Sequence, residues 1–147
     1  MTAIEDVTAL IPHRPPFLFV DKIISASKET IVTEKVFPEN LDMYSGHYPG
    51  NPITPGVILC EAIFQSGALL MGKINEDTTY SNSEVPVLTR ITNAKFKRTV
   101  YPGESTEITV QIQEIVANVC FFKGTMRVAG KVALKVEFAC SMVKEKE

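Results

Sequence analysis

Glu61 is the only charged residue in the apolar run GVILCEAIFQSGALLMG, from Gly56 to Gly72. A carboxyl in such surroundings is costly unless it is paired or neutral, and one held neutral keeps a proton that it can donate. The preceding loop, GHYPGNPITPG, carries His47, one of two histidines in the chain. Imidazole is the commonest acid/base side chain in proteins. A helix-borne acid and a loop-borne base, 14 positions apart, make a candidate pair for moving two protons. Spacing alone leaves a plainer reading open for each: Glu61 held by a structural partner, His47 a surface or hydrogen-bonding residue. The other histidine, His13 in IPHRPPFLFVD, lies between a helix end and a strand start. A ring there often satisfies backbone groups, so a structural role is expected for it.

The surrounding pattern must hold these groups in place. GHYPGNPITPG has three prolines and three glycines, which restricts the loop. Pro55-Gly56 then opens a helix that ends near Gly72-Lys73, and the polar stretch from Asn75 to Glu84 reads as a loop. The apolar run is slightly short for a membrane span and carries Glu61 and Gln65, so a buried core helix is expected. Glu61, Gln65, Ala68 and Gly72 fall at i, i+4, i+7 and i+11, on one helix face. Its small residues leave room for another backbone or for a ligand chain.

Elsewhere the chain reads as one short helix and several strands. Thr2-Ala3-Ile4-Glu5 has capping-box form, and Pro12 ends the helix that follows. Phe17–Ile24 and Thr30–Phe37 read as strands joined by a polar turn. Apolar and polar residues alternate over Thr106–Gln113, Phe122–Val128 and Val132–Met142, as in an antiparallel sheet with one buried face. Ala129-Gly130 marks a tight hairpin between the last two strands. The expected fold is α+β: one antiparallel sheet wrapped round one long central helix, with a short N-terminal helix, in a single domain spanning 1–147.

Composition narrows the function. Fifteen Lys and Arg against 17 Asp and Glu give no electrostatic reason to expect nucleic acid. Two histidines without clustered carboxylates make a protein-held catalytic zinc improbable, and no metal is expected. Nucleotide-binding glycine motifs and the GxSxG nucleophile elbow are missing. Cys60, Cys120 and Cys140 are widely spaced in apolar segments, as expected for reduced, buried thiols in a cytoplasmic protein. The opening MTAIEDVTAL has two acids and no basic region, unlike a signal peptide.

Three segments resemble a known family. IPHRPPFLFVDKI (11–23), GHYPGNPITPGVILCEAIFQSGALL (46–70) and KFKRTVYPGE (95–104) are similar, in order and spacing, to the β-hydroxyacyl-acyl carrier protein dehydratases of fatty acid synthesis. Glu61 is similar to the Z-type branch; the A-type branch typically has Asp there. Phe64 and Ser66 stand where that family carries small residues around Gln65, and Thr99 where it often has Pro. The resemblance implies a hot-dog fold and dehydration of a 3-hydroxyacyl-acyl carrier protein, with His47 and Glu61 catalytic. It implies no cofactor. It also implies a homodimer, extending to a trimer of dimers, in which His47 of one subunit meets Glu61 of the other.

The residue types suit that chemistry. A neutral His47 would take the proton α to the thioester carbonyl, and a protonated Glu61 would assist the departing hydroxyl. The Gly56 backbone N–H, at a helix N-terminus, would stabilise charge on the thioester oxygen, and Gln65 would orient the pair. Ala68, Gly72 and Phe64 are candidates for the acyl tunnel. Acyl carrier proteins are acidic, so docking needs local positive charge; Lys95, Lys97 and Arg98 form the densest basic cluster, with Lys123 and Arg127 on a later strand. A solvated strand end is the plainer reading of that cluster. Two other functions stay open: a hot-dog acyl thioesterase, and a non-catalytic acyl-binding subunit.

Overall fold

The apolar run forms one helix, α3 (Gly56–Ile74), and the rest of the chain is arranged round it. The computed structural model describes residues 4–74 and 84–144. From Leu59 to Met71 every residue of α3 except Glu61 is buried. A helix apolar on all sides needs cover on all sides. By length and composition α3 could cross a membrane, but most of it is buried inside this fold, as a core helix.

The cover is a six-stranded antiparallel sheet. Its strands are β1 (Lys22–Ala26), β2 (Thr30–Val36), β3 (Glu84–Phe96), β4 (Ser105–Val116), β5 (Val119–Val128) and β6 (Lys131–Lys144), in the order β1-β2-β4-β5-β6-β3. The expected alternation is present: Thr106, Ile108 and Val110 of β4 and Phe122, Met126 and Val128 of β5 are buried. Helix and sheet approach closely because two glycines allow it. A Cβ at Gly67 would sit 2.8 Å from the Phe138 ring, and one at Gly124 would collide with Ile63. Ala129 and Gly130 both have positive φ, the tight turn between β5 and β6. The buried apolar residues form one cluster, with α3 at its centre. This is the expected hot-dog arrangement.

Two short helices complete it. α1 (Ile4–Leu10) packs on α3, and α2 (Met43–Gly46) leads into the loop before α3. The Thr2 cap and most of the polar loop lie outside the described residues.

Two expectations need correction. The strand expected over Phe17–Ile24 begins only at Lys22 and continues to Ala26. The Phe17 amide is used in a turn to Arg14 O, and the Phe19 amide is taken by the Gln65 side chain. Neither is free to join a ladder. Of β3 only the end near Lys95 is read as strand in the sequence, and Glu84, read as loop, is its first residue. β3 is an edge strand whose residues from Val87 onward are all exposed, so it lacks the alternation of a half-buried strand. Pro86 within EVPVLTRITNAKF blurs the signal further, because proline is tolerated in sheets mainly at edges.

Candidate active site

Glu61 lies one turn and a half into α3, on the face directed at the α1–β1 loop. Its Oε2 accepts a 2.9 Å hydrogen bond from Gln65 Nε2. The same amide nitrogen donates to Phe17 O at 3.0 Å, and Gln65 Oε1 accepts from the Phe19 N–H at 2.7 Å. Gln65, 1% exposed, thus fixes the incoming chain and the carboxyl together. Burial pushes the Glu61 pKa up, against the opposing pull of the Gln65 hydrogen bond. The carboxyl is therefore prepared to hold a proton.

Glu61 opens into a narrow cavity of about 140 Å³, lined by His13, Phe64, Gln65, Ala68, Leu88 and Cys140 among others. Phe64 and Ala68, singled out as acyl-tunnel residues, therefore share the carboxyl's cavity. Phe64 also packs on Phe138 with the rings inclined at 53° and their centroids 4.8 Å apart. Ser66 turns away from the cavity and bonds Ala62 O and Thr33. Gly72 lies elsewhere: a Cβ there would meet Leu10 O at 3.0 Å, so its small size serves the packing of α1.

His47 caps α2 and stands on a loop tied at both ends. Tyr44 OH bonds Thr54 Oγ1 at 2.7 Å, the Ile53 amide donates to His47 O, and the Thr54 amide donates to Val100 O. Within this frame His47 Nδ1 lies 3.0 Å from Ile53 O. A carbonyl only accepts, so Nδ1 carries the hydrogen and Nε2 presents its lone pair. That is the tautomer a general base requires. The Tyr48 ring stacks on the imidazole, centroids 4.2 Å apart.

His47 faces a second, wider cavity of about 500 Å³, with Gly56, Leu59, Phe96, Lys97 and Arg98 in its wall. Gly56 is the first residue of α3, and the first amides of a helix have no intrahelical partner. A Cβ at Gly56 would sit 2.8 Å from the Phe96 ring, so only glycine permits this approach. Lys97 and Arg98 line the His47 cavity; Lys95, paired with Lys135 in the β3–β6 ladder, is exposed on the sheet. Lys123 and Arg127 lie on β5, where Lys123 pairs with Glu137 and Arg127 with Glu107.

The structure joins Glu61 to Gln65, Phe64 and Ala68, and His47 to Gly56, Lys97 and Arg98. It does not join His47 to Glu61 within one chain. The residue that sequence reasoning undervalued is His13, whose Nε2 lies 3.9 Å from Glu61 Oε2. No spacing rule links positions 13 and 61; the only hint was His13's place in a segment carrying the resemblance. Among the described residues no group of three or more metal-ligating side chains gathers.

An α-helix bearing a protonatable acid, enclosed by an antiparallel sheet and followed in space by a loop histidine with a free Nε2, defines a hot-dog protein equipped for acid–base chemistry. The chain belongs to the FabA-like domain family, which matches residues 11–137. It is 37% identical over 141 residues to the 3-hydroxyacyl-[acyl-carrier-protein] dehydratase FabZ of Caulobacter vibrioides, covering 95% of this chain and 87% of that one. To the same-named protein of Rickettsia bellii it is 38% identical, covering 97% of each. Among solved structures, the dehydratase heterocomplex ApeI:P from Xenorhabdus doucetiae superposes with a TM-score of 0.80 at 14% identity, over 94% of this chain and 91% of that one. A hypothetical thioesterase with coenzyme A from Streptococcus pneumoniae superposes at 0.65 and 10% identity, over 98% and 96%. At such identities these two structures speak for the fold alone.

Proposed function

We propose that this protein is a hydro-lyase that converts a (3R)-3-hydroxyacyl-acyl carrier protein to the trans-2-enoyl form in fatty acid biosynthesis. The observation that carries the reading is the opposite preparation of its two titratable groups. His47 Nε2 is left free by the Nδ1 bond to Ile53 O, while burial favours the protonated form of Glu61. His47 takes the α-proton, the C–O bond breaks, and Glu61 protonates the leaving hydroxyl as water. Negative charge on the thioester oxygen is met by the Gly56 N–H and the positive end of α3. Gln65 steadies the Glu61 carboxyl.

A second copy of the chain completes the site. β3 is an unpaired edge carrying exposed Val87, Leu88, Ile91 and Phe96. Such an edge invites pairing with another strand. Pro86 and Leu88, near its start, border the Glu61 cavity, and Phe96, at its end, borders the His47 cavity. Antiparallel pairing of two β3 strands about their middle lays the end of one beside the start of the other. His47 of one subunit then faces Glu61 of its partner. Dimers of this kind associate further into a trimer of dimers, which light scattering would separate from a dimer. The acyl chain follows Phe64 and Ala68 along α3, and an acidic carrier protein docks near Lys97 and Arg98, with Lys95 at the margin.

Incubation with a 3-hydroxyacyl-carrier thioester tests the reaction. Growth of 2-enoyl absorbance is expected. Release of free thiol without enoyl would replace dehydration by hydrolysis, and carrier binding without turnover would leave an acyl-binding subunit.

A further inference from the structure

We infer that His13 is a positioning residue for Glu61: its ring donates from Nε2 to the carboxylate that forms as Glu61 gives up its proton, leaving Oε1 to face the substrate. The inference rests on the acid role assigned to Glu61 above. His13 Nε2 stands 3.9 Å from Glu61 Oε2, the oxygen that already accepts from Gln65, and both side chains are largely buried. That separation exceeds a direct hydrogen bond of about 2.7–3.2 Å, and catalytic contacts are often long before substrate binds. The two residues share one cavity.

The loop bearing His13 is built to hold the ring there. Pro12 precedes it, and Pro15 and Pro16 follow the next residue. Arg14 donates to Thr8 O, Ile11 O and His13 O, fixing the loop to the end of α1. Gln65 accepts from the Phe19 N–H at Oε1, and its Nε2 donates both to Phe17 O and to Glu61. The clamp that orients the carboxyl thus also anchors the chain that presents the imidazole.

The ring's other nitrogen supports the direction of donation. His13 Nδ1 is buried with no hydrogen-bond partner among the described residues. A hydrogen on Nδ1 would be stranded and would turn the Nε2 lone pair toward the carboxylate oxygens. A hydrogen on Nε2 avoids both. Burial and, less strongly, the Arg14 charge push the His13 pKa down, which keeps the ring neutral. Within the chain the other titratable groups near Glu61 are Cys60 beside it and Cys140 from β6, both with pKa values raised by burial and therefore neutral; in the proposed dimer the imidazole of a second copy's His47 faces it as well. β3 contributes Pro86 and Leu88, which do not titrate.

During the reaction negative charge grows on Glu61 as its proton moves to the β-oxygen. A neutral N–H aimed at Oε2 stabilises that charge more than it stabilises the protonated acid. It therefore lowers the barrier without touching substrate.

The test uses the full-length protein and the carboxyl infrared band that Glu61→Gln removes. In His13→Phe this band should titrate higher than in the parent by about one unit, the effect of one lost donor on a carboxylate. kcat should fall about tenfold with KM unchanged, and the alkaline limb of the kcat–pH profile should move up with the band. His13→Gln keeps an N–H and should restore both. His13→Leu serves as the apolar variant if His13→Phe does not fold. An unmoved Glu61 titration in a folded apolar variant, or identical behaviour of His13→Gln and the apolar variant, would overturn the inference. Because the titration needs no substrate, its result is separate from the acid role itself, which turnover of Glu61→Gln decides.

Discussion

Glu61 and His47 are 14 residues apart in sequence, yet one faces a cavity of about 140 Å³ and the other a cavity of about 500 Å³. The first is walled by α3, β3, β6 and the α1–β1 loop, and its carboxyl is gripped by a buried amide. The second lies at the mouth of a proline-rich loop, and its imidazole is set by a backbone carbonyl and the stacked Tyr48 ring. In one region burial favours the protonated acid; in the other, the bond to Ile53 O leaves Nε2 with the lone pair. The two groups lie in separate cavities of one chain, and the proposed reaction needs both.

The strongest way to break that division is to remove either group. Glu61→Gln and His47→Ala should each reduce dehydration by about 10²–10⁴-fold, the usual loss for a positioned acid or base. The double variant should lose little more, since the groups act as a unit. Mixing the two single variants should restore activity through heterodimers that contain one intact pair. Near-normal turnover in either single variant would break the assignment; no recovery on mixing would break the shared site. Stability should also report on the acid. A raised folded pKa means stability from Glu61 is present below its ordinary 4.5 and lost as pH rises through the folded value. Melting temperatures should show that Glu61→Gln removes this alkaline loss.

The clamp on the acid side comes next. Gln65→Leu leaves the Phe19 amide and Phe17 carbonyl without their side-chain partner. Stability should fall by roughly 2–6 kcal/mol, about 1–3 for each of the two orphaned groups. Denaturant unfolding measures this, and a loss below about 0.5 kcal/mol, the ordinary scatter of surface substitutions, would show the clamp to be dispensable. Ser45→Ala, which removes only a bond from an exposed hydroxyl to Asp42 O beside His47, should by contrast be near neutral.

The cavities differ in what they should recognise. Ala68→Leu narrows the Glu61 cavity and should shift substrate preference toward shorter acyl chains by roughly tenfold, within the range that a few methylenes command in an apolar pocket. Equal losses on short and long substrates in a stable variant would remove Ala68 from the acyl path. The smallest effect belongs to the His47 side. Charge reversal at Lys97 and Arg98 should raise KM for the carrier-bound substrate several-fold at low salt, because rim charges act mainly on association. A pantetheine analogue should be processed as before. Equal change with both substrates, or none, would exclude this rim from docking.

The local patterns were legible in the sequence because they depend on near neighbours. The buried central helix follows from its continuous apolar run, and β2, β4, β5 and β6 follow from alternation or β-rich composition. Glu61 and His47 stood out by residue type against their surroundings. Most of β3 was illegible because an exposed edge strand carries no two-sided pattern, and β1 began late because Gln65, 46 positions away from Phe19, takes an amide the ladder would have used. Gly72 sits on the same helical face as Glu61, yet α1 occupies the space beside it. His13 meets Glu61 only because the α1–β1 loop folds back over α3. Sequence by itself determined the core helix and the strands with a two-sided pattern, and it singled out Glu61 and His47 as the candidate pair, since periodicity and chemical type are local properties. The tertiary structure alone decided which tautomer His47 adopts, what holds Glu61 and which cavity each residue faces, because those depend on contacts between segments distant in the chain.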